Sequence, residues 1–145
     1  MHETTHDRRH DAFSAAWADA WRDAINADAT YGDVGARWRD ALALTCAAET
    51  DAGFPAGAAV EVTLDGGRCT GARALAPDAA DAPLVLHATA ATWRALLDGS
   101  LDPVAGVALG KLRLARGSLG AIMLHAAALK ALVACAQRVP TRWPA

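Results

Sequence analysis

Between Leu119 and Ala136 the chain runs almost without a polar residue, with only His125 and Lys130 interrupting it. A surface helix needs a polar face toward water, and this segment has none to offer. Gly117 and Ser118 supply a turn and a helix cap, so a long helix is expected from Leu119 to about Gln137. Both of its sides must then be covered. A sheet can cover one, and a ligand, a partner subunit or a neighbouring helix the other. The run approaches the ~20 residues of a membrane span. However, Lys130 near its middle costs ~2.5–3.5 kcal/mol on insertion scales, the segment is rich in alanine, and no aromatic belt flanks it. A buried helix in a soluble domain is the expectation.

The rest of the chain fits that reading. Its 145 residues match one domain, expected over 12–140 behind a polar, mobile tail at 1–11. Hydrophobic residues make up 53% and charged residues 21%, enough apolar material for a packed core. A formal net charge of −2 argues against a phosphate-tracking surface, so no nucleic-acid partner is expected. Cys46, Cys69 and Cys135 are odd in number and widely spaced, which indicates neither a disulfide framework nor a zinc site. Reduced thiols and a start without an apolar leader point to the cytoplasm.

Phe13, Trp17, Trp21 and Ile25 recur every fourth residue and predict an amphipathic helix packed through its aromatic stripe. A shorter helix is expected from about Tyr31 to Trp38, and a strand from Ala41 to Leu44. Val60, Val62 and Leu64 alternate with polar residues, and Asp65-Gly66-Gly67 tolerates the turn of a hairpin into Arg68–Leu75. Leu84–His87 is apolar on both faces and reads as a covered strand. Thr89 caps a helix through Leu97, and Asp102-Pro103 opens a second that Gly110 closes. Lys111–Leu114 alternates basic and apolar and predicts a last strand.

The segment Thr92-Trp93-Arg94-Ala95-Leu96-Leu97-Asp98-Gly99-Ser100-Leu101-Asp102-Pro103, followed by Gly110-Lys111-Leu112-Arg113-Leu114 and Gly117, resembles the sterol carrier protein 2 family. That family has an aromatic, leucines, Gly-x-Leu/Met-Asp/Asn-Pro, then Gly-Lys-Leu-x-Leu/Ile-x-Gly before its final helix. The match is specific over roughly 84–123 and agrees in element order over the rest. The chain looks most like the stand-alone bacterial members, whose first helix carries spaced tryptophans and an asparagine like Asn26. The resemblance implies an α+β fold: a five-stranded, mostly antiparallel sheet covered by helices, with an apolar tunnel beside the C-terminal helices. It implies binding of fatty acids, fatty acyl-CoA or sterol-like lipids without catalysis, a metal or a cofactor, and at most transient membrane contact. It places Trp93, Leu97, Leu101, Val104, Ala108, Leu109, Leu119, Ile122 and Met123 on the tunnel wall. Leu109 stands where the family often has glutamine, which implies a drier, differently shaped cavity.

Other motifs carry less. His2-Glu3-Thr4-Thr5-His6, with His10 beyond, matches a zinc-protease string, but no apolar residue flanks it to build a buried helix. Ser118 misses the nucleophile-elbow pattern and is accounted for as a helix cap. His125 reads as a packed core histidine, or as a partner for a ligand carboxylate. Lys111, Arg113 and Arg116 read as a solvated strand face, or as an attraction for an acidic headgroup at the tunnel mouth. The competing reading of the apolar C-terminal helix is an interaction surface buried in a homodimer, without lipid.

Overall fold

A computed structural model describes residues 8–144. The zinc-protease string at 2–6 lies outside the described residues. A two-residue strand, β1 (His10–Asp11), pairs in parallel with Thr141 and Arg142 near the other end of the chain. Paired backbone thus reaches two residues beyond the expected 12–140 at each end.

The aromatic stripe forms helix α1 (Ala15–Asn26), capped by the Ser14 side chain, which accepts from Trp17 N–H at 3.1 Å. Just before it, Phe13 has φ 62°, a left-handed conformation rare for a bulky residue. Its ring is buried against Trp17, Phe54 and Trp93, with centroids 5.6, 6.3 and 5.7 Å away, and that packing offsets the strain. Helix α2 (Ala29–Val34) is capped by Asp28 and is shorter than the Tyr31–Trp38 span expected.

Strands β2 (Ala41–Cys46), β3 (Ala58–Asp65), β4 (Arg68–Leu75) and β5 (Leu84–Ala88) follow. Then come α3 (Ala90–Leu97), α4 (Pro103–Ala108), β6 (Arg113–Arg116), α5 (Leu119–Leu124), α6 (Ala126–Gln137) and β7 (Thr141–Arg142). The main sheet has five strands in the order β4-β3-β2-β5-β6, antiparallel except for the β2–β5 pair. Gly66 and Gly67, at φ 62° and 92°, make the β3–β4 turn that side chains would resist.

Two expectations shift. The last strand begins at Arg113, not Lys111, because the Lys111 and Leu112 N–H groups both donate to the Gly106 carbonyl and stay with the end of α4. The long C-terminal helix is broken at His125, whose backbone (φ −107°, ψ 23°) leaves helical geometry. The His125 ring stacks on buried Trp38, with centroids 4.9 Å apart and planes 20° from parallel. Among the described residues, no helix is long and apolar enough to cross a membrane.

The helices pack on one face of the sheet around a core running from Ala12 to Val139. Three of its indoles are pinned by hydrogen bonds that join distant elements. Trp17 Nε1 donates to Thr141 Oγ1 at 2.9 Å, Trp21 Nε1 to the Leu132 carbonyl at 3.0 Å, and Trp93 Nε1 to the Thr45 carbonyl at 2.8 Å. At the end of α1, the Asn26 amide accepts from Cys69 N–H at 2.8 Å and donates to the Cys69 carbonyl at 2.9 Å. It thereby serves edge strand β4 as a neighbouring peptide group would. On the sheet's other face, Ala43, Val85 and Ala82 make a small separate cluster. The cysteines are free thiols; burial pushes Cys46 up to about 11 and Cys135 up to about 12, so both stay protonated.

Candidate functional site

The α3–α4–α5 region is held by caps that the sequence announces. Thr89 accepts from Thr92 N–H at 3.2 Å to start α3, and Asp102 accepts from Ala105 N–H at 2.9 Å to start α4. Ser118 accepts from Ala121 N–H at 3.1 Å to start α5, so its hydroxyl has the structural role expected of it. Helix α6 ties into this region at two points. Gln137 Nε2 donates to the Leu96 carbonyl at 2.9 Å, and Lys130 Nζ lies 3.6 Å from Asp102. Gly106 is where the backbone comes close: a Cβ there would stand 3.3 Å from Leu112 Cβ and 3.5 Å from Leu101 Cδ2.

The proposed wall residues divide by environment. Trp93 and Ile122 are buried, and Trp93 belongs to the aromatic core beside Phe13. Leu97, Leu101 and Val104 are half-buried, the first two packed against that core. Ala108 is exposed, as are Leu109 (66%), Leu119 (59%) and Met123 (60%). Sequence reasoning missed Leu124, which at 79% is the most exposed large apolar side chain among the described residues. The signal for it was present, since it lies inside the apolar run. Ile122 is the one buried residue of α5, so this helix meets the core through a narrow contact and turns leucine and methionine outward.

Surface cavities of roughly 280–550 Å³ lie among the described residues, and these do not gather the wall residues together. Leu101 lines one, about 360 Å³, with Ala95, Ser100 and Lys111. Another, about 470 Å³, lies where Val34 and Arg37 face Leu124 and His125. The basic residues expected on one strand face part company. Lys111 borders the Leu101 cavity, whereas Arg113 and Arg116 line a cavity with Val85 and His87, on the sheet face away from the helices. His125 is half-buried, stacked on Trp38 and bordering the Val34–Leu124 cavity.

No protein-family model and no curated protein matches the chain. Among solved structures it is similar to one described as a crystal structure of sterol carrier protein 2, at 36% identity and TM-score 0.85, covering 89% of this chain and 99% of that one. It is also similar to a Thermus thermophilus protein described as possibly a sterol carrier protein, at 33% identity and TM-score 0.84, covering 97% of both chains. The Yarrowia lipolytica sterol carrier protein 2 (16% identity, TM-score 0.56) shares the fold. With an identity above 30% sustained over nearly the full length of both chains, and with the Trp93 to Gly117 motif set on the same α+β framework, the chain belongs to the sterol carrier protein 2 family.

Proposed function

We propose that this protein binds an apolar lipid, a fatty acid or fatty acyl-CoA, beside its C-terminal helices and carries or sequesters it without chemical change. The observation that carries the reading is the outward-turned apolar surface of α5 and the α4 exit: Leu109, Leu119, Met123 and Leu124 are the most exposed large apolar side chains among the described residues, with Val34 of α2 exposed less. Trp93, Leu97, Leu101, Val104, Ala108, Leu109, Leu119, Ile122 and Met123 form the wall, and α5 moves on the break at His125 to admit the chain. Burying methylenes contributes ~0.8 kcal/mol each, so about a dozen carbons gather roughly 10 kcal/mol before ordering costs. Micromolar affinity follows without a strong polar anchor. The setting is cytoplasmic, with transient membrane contact for loading, and no nucleophile or base on the wall takes part in any reaction. The sterol carrier description of its solved relatives supports a lipid ligand.

The same exposed side chains favour a second reading, a homodimer that buries α5 without lipid. Native mass spectrometry separates the two: co-purified lipid supports the carrier, a lipid-free dimer the interaction surface. A fluorescent fatty-acid displacement titration then tests the wall. Ala108→Trp, at an exposed position, should abolish binding with little loss of stability. Leu86→Trp, in a buried strand position, should destabilise the fold by ~1–3 kcal/mol through overpacking. Wild-type protein that binds no fatty acid sinks the proposal.

A further inference from the structure

The sheet face away from the helices carries a cavity of about 380 Å³ that the lipid reading does not use. Thr45, Asp78, His87, Arg113 and Arg116 all line it. The β5–β6 register sets His87 beside Arg113 and Val85 beside Arg116, so both guanidinium-bearing side chains rise from this face. Neither enters an ion pair among the described residues, although Arg22, Arg39, Arg73 and Arg138 all do. Two cations on one cavity wall repel each other; Asp78, which lines the cavity without ion-pairing to either, offsets this only in part, and a bound anion relieves the rest.

The histidine is oriented as well. Thr45 Oγ1, on a buried residue, lies 2.7 Å from His87 Nδ1. That contact occupies one ring nitrogen and leaves Nε2 as the other hydrogen-bonding position of the imidazole. Two planar guanidinium groups and one imidazole beside a cavity match a tetrahedral oxyanion with several acceptor oxygens.

We propose that this cavity is an anion site for the phosphate group of a small molecule or lipid, held by Arg113, Arg116 and His87 on the face opposite the α5 surface. Burial and the Arg113 guanidinium hold His87 below the usual histidine range. An anion bound between them offsets that repulsion and favours the protonated ring. Binding therefore tightens as pH falls. The charged groups around His87 are Arg113 and Arg116 from β6 and Asp78 from the β4–β5 connection, with neutral Thr45 from β2.

Calorimetric titration with inorganic pyrophosphate, and sedimentation with phosphatidylcholine vesicles carrying phosphatidic acid, test the site. In the R113Q/R116Q double variant, affinity should fall at least about tenfold. The Arg39→Gln variant, which removes an exposed cation paired with Asp65 beside the β3–β4 turn, should bind as wild type does. Loss of pyrophosphate binding in the double variant identifies a soluble phosphate ligand; loss of vesicle binding alone identifies a lipid headgroup, and either outcome supports the site. Titration with sulfate, which stays a dianion, should tighten from pH 8 to pH 5.5, and His87→Gln should remove that trend. Should the double variant lose stability, Arg116→Gln alone serves for the same comparison. Absence of binding to both probes, or an equal loss in Arg39→Gln, overturns the proposal.

Discussion

Replacing Asn26 with alanine should cost this protein more stability than its exposed position implies. The Asn26 amide is bonded at 2.8 and 2.9 Å to both backbone groups of Cys69, a buried residue on edge strand β4. Two intramolecular hydrogen bonds are worth about 0.5–1.5 kcal/mol each, and a buried peptide group left without a partner costs about 1–3 kcal/mol. Water reaching the vacated space will recover part of that penalty, which leaves a net loss of roughly 2–3 kcal/mol. For a chain near this size, each kcal/mol lowers the melting temperature by about 2–4 °C, so the drop should lie between about 4 and 12 °C. Urea unfolding followed by tryptophan fluorescence and circular dichroism measures it directly. Asn26→Asp sharpens the test: it keeps the acceptor but sets a carboxylate against the Cys69 carbonyl. Its deficit should shrink in acid, where the protonated carboxyl can donate. An Asn26→Ala variant within about 0.5 kcal/mol of wild type would refute the reasoning, because the edge would then be served equally well by water.

Two further outcomes are expected from groups elsewhere in the core. The Tyr31 hydroxyl is buried without a hydrogen-bond partner among the described residues, and burial pushes its pKa up to about 12. Tyr31→Phe should therefore leave stability unchanged or raise it by up to about 1 kcal/mol, and a loss larger than that in a thermal melt would show the hydroxyl to be bonded. At Asp28, the Tyr31 N–H bond and the Arg138 guanidinium 3.1 Å away hold the carboxyl below its ordinary value. A lowered folded-state pKa stabilises above the unfolded value near 3.8, and that stability is lost as pH falls through the folded value. Urea midpoints measured from pH 6 to pH 3 should show a shallower acid decline in Asp28→Asn than in wild type.

The contrast between α1 and the C-terminal helices shows what the sequence makes legible. In α1 each aromatic falls on the i, i+4 stripe and a serine cap precedes it, so periodicity and capping agree. Asp102-Pro103 marks the start of α4 just as directly. The break at His125 is hidden because an apolar run has the same composition in one helix or two. The deciding contact, the stack on Trp38, comes from a residue 87 positions earlier. Strand β6 was expected two residues early because Leu112 alternates correctly without being paired; its N–H follows the end of α4 instead. The β1–β7 pair is illegible by any local rule, since each strand has two residues and its partner lies at the other end of the chain. At the candidate site, the side chains grouped through the motif between Trp93 and Gly117 span every degree of burial. Exposure depends on how α5 sits on the core through Ile122, and no spacing rule encodes that seat.

Joining the ends of the chain in parallel also determines how the molecule bears tension. A pull applied at residues 8 and 144 runs in opposite directions along β1 and β7. It strains several bonds together: His10 N–H to the Pro140 carbonyl at 2.7 Å, Ala12 N–H to the Arg142 carbonyl at 3.0 Å, and the Trp17 indole to Thr141 at 2.9 Å. An antiparallel pair at the ends would open like a zipper, one bond at a time. Here the bonds are sheared at once, and the aromatic core behind Phe13 and Trp17 stays shut until they give way.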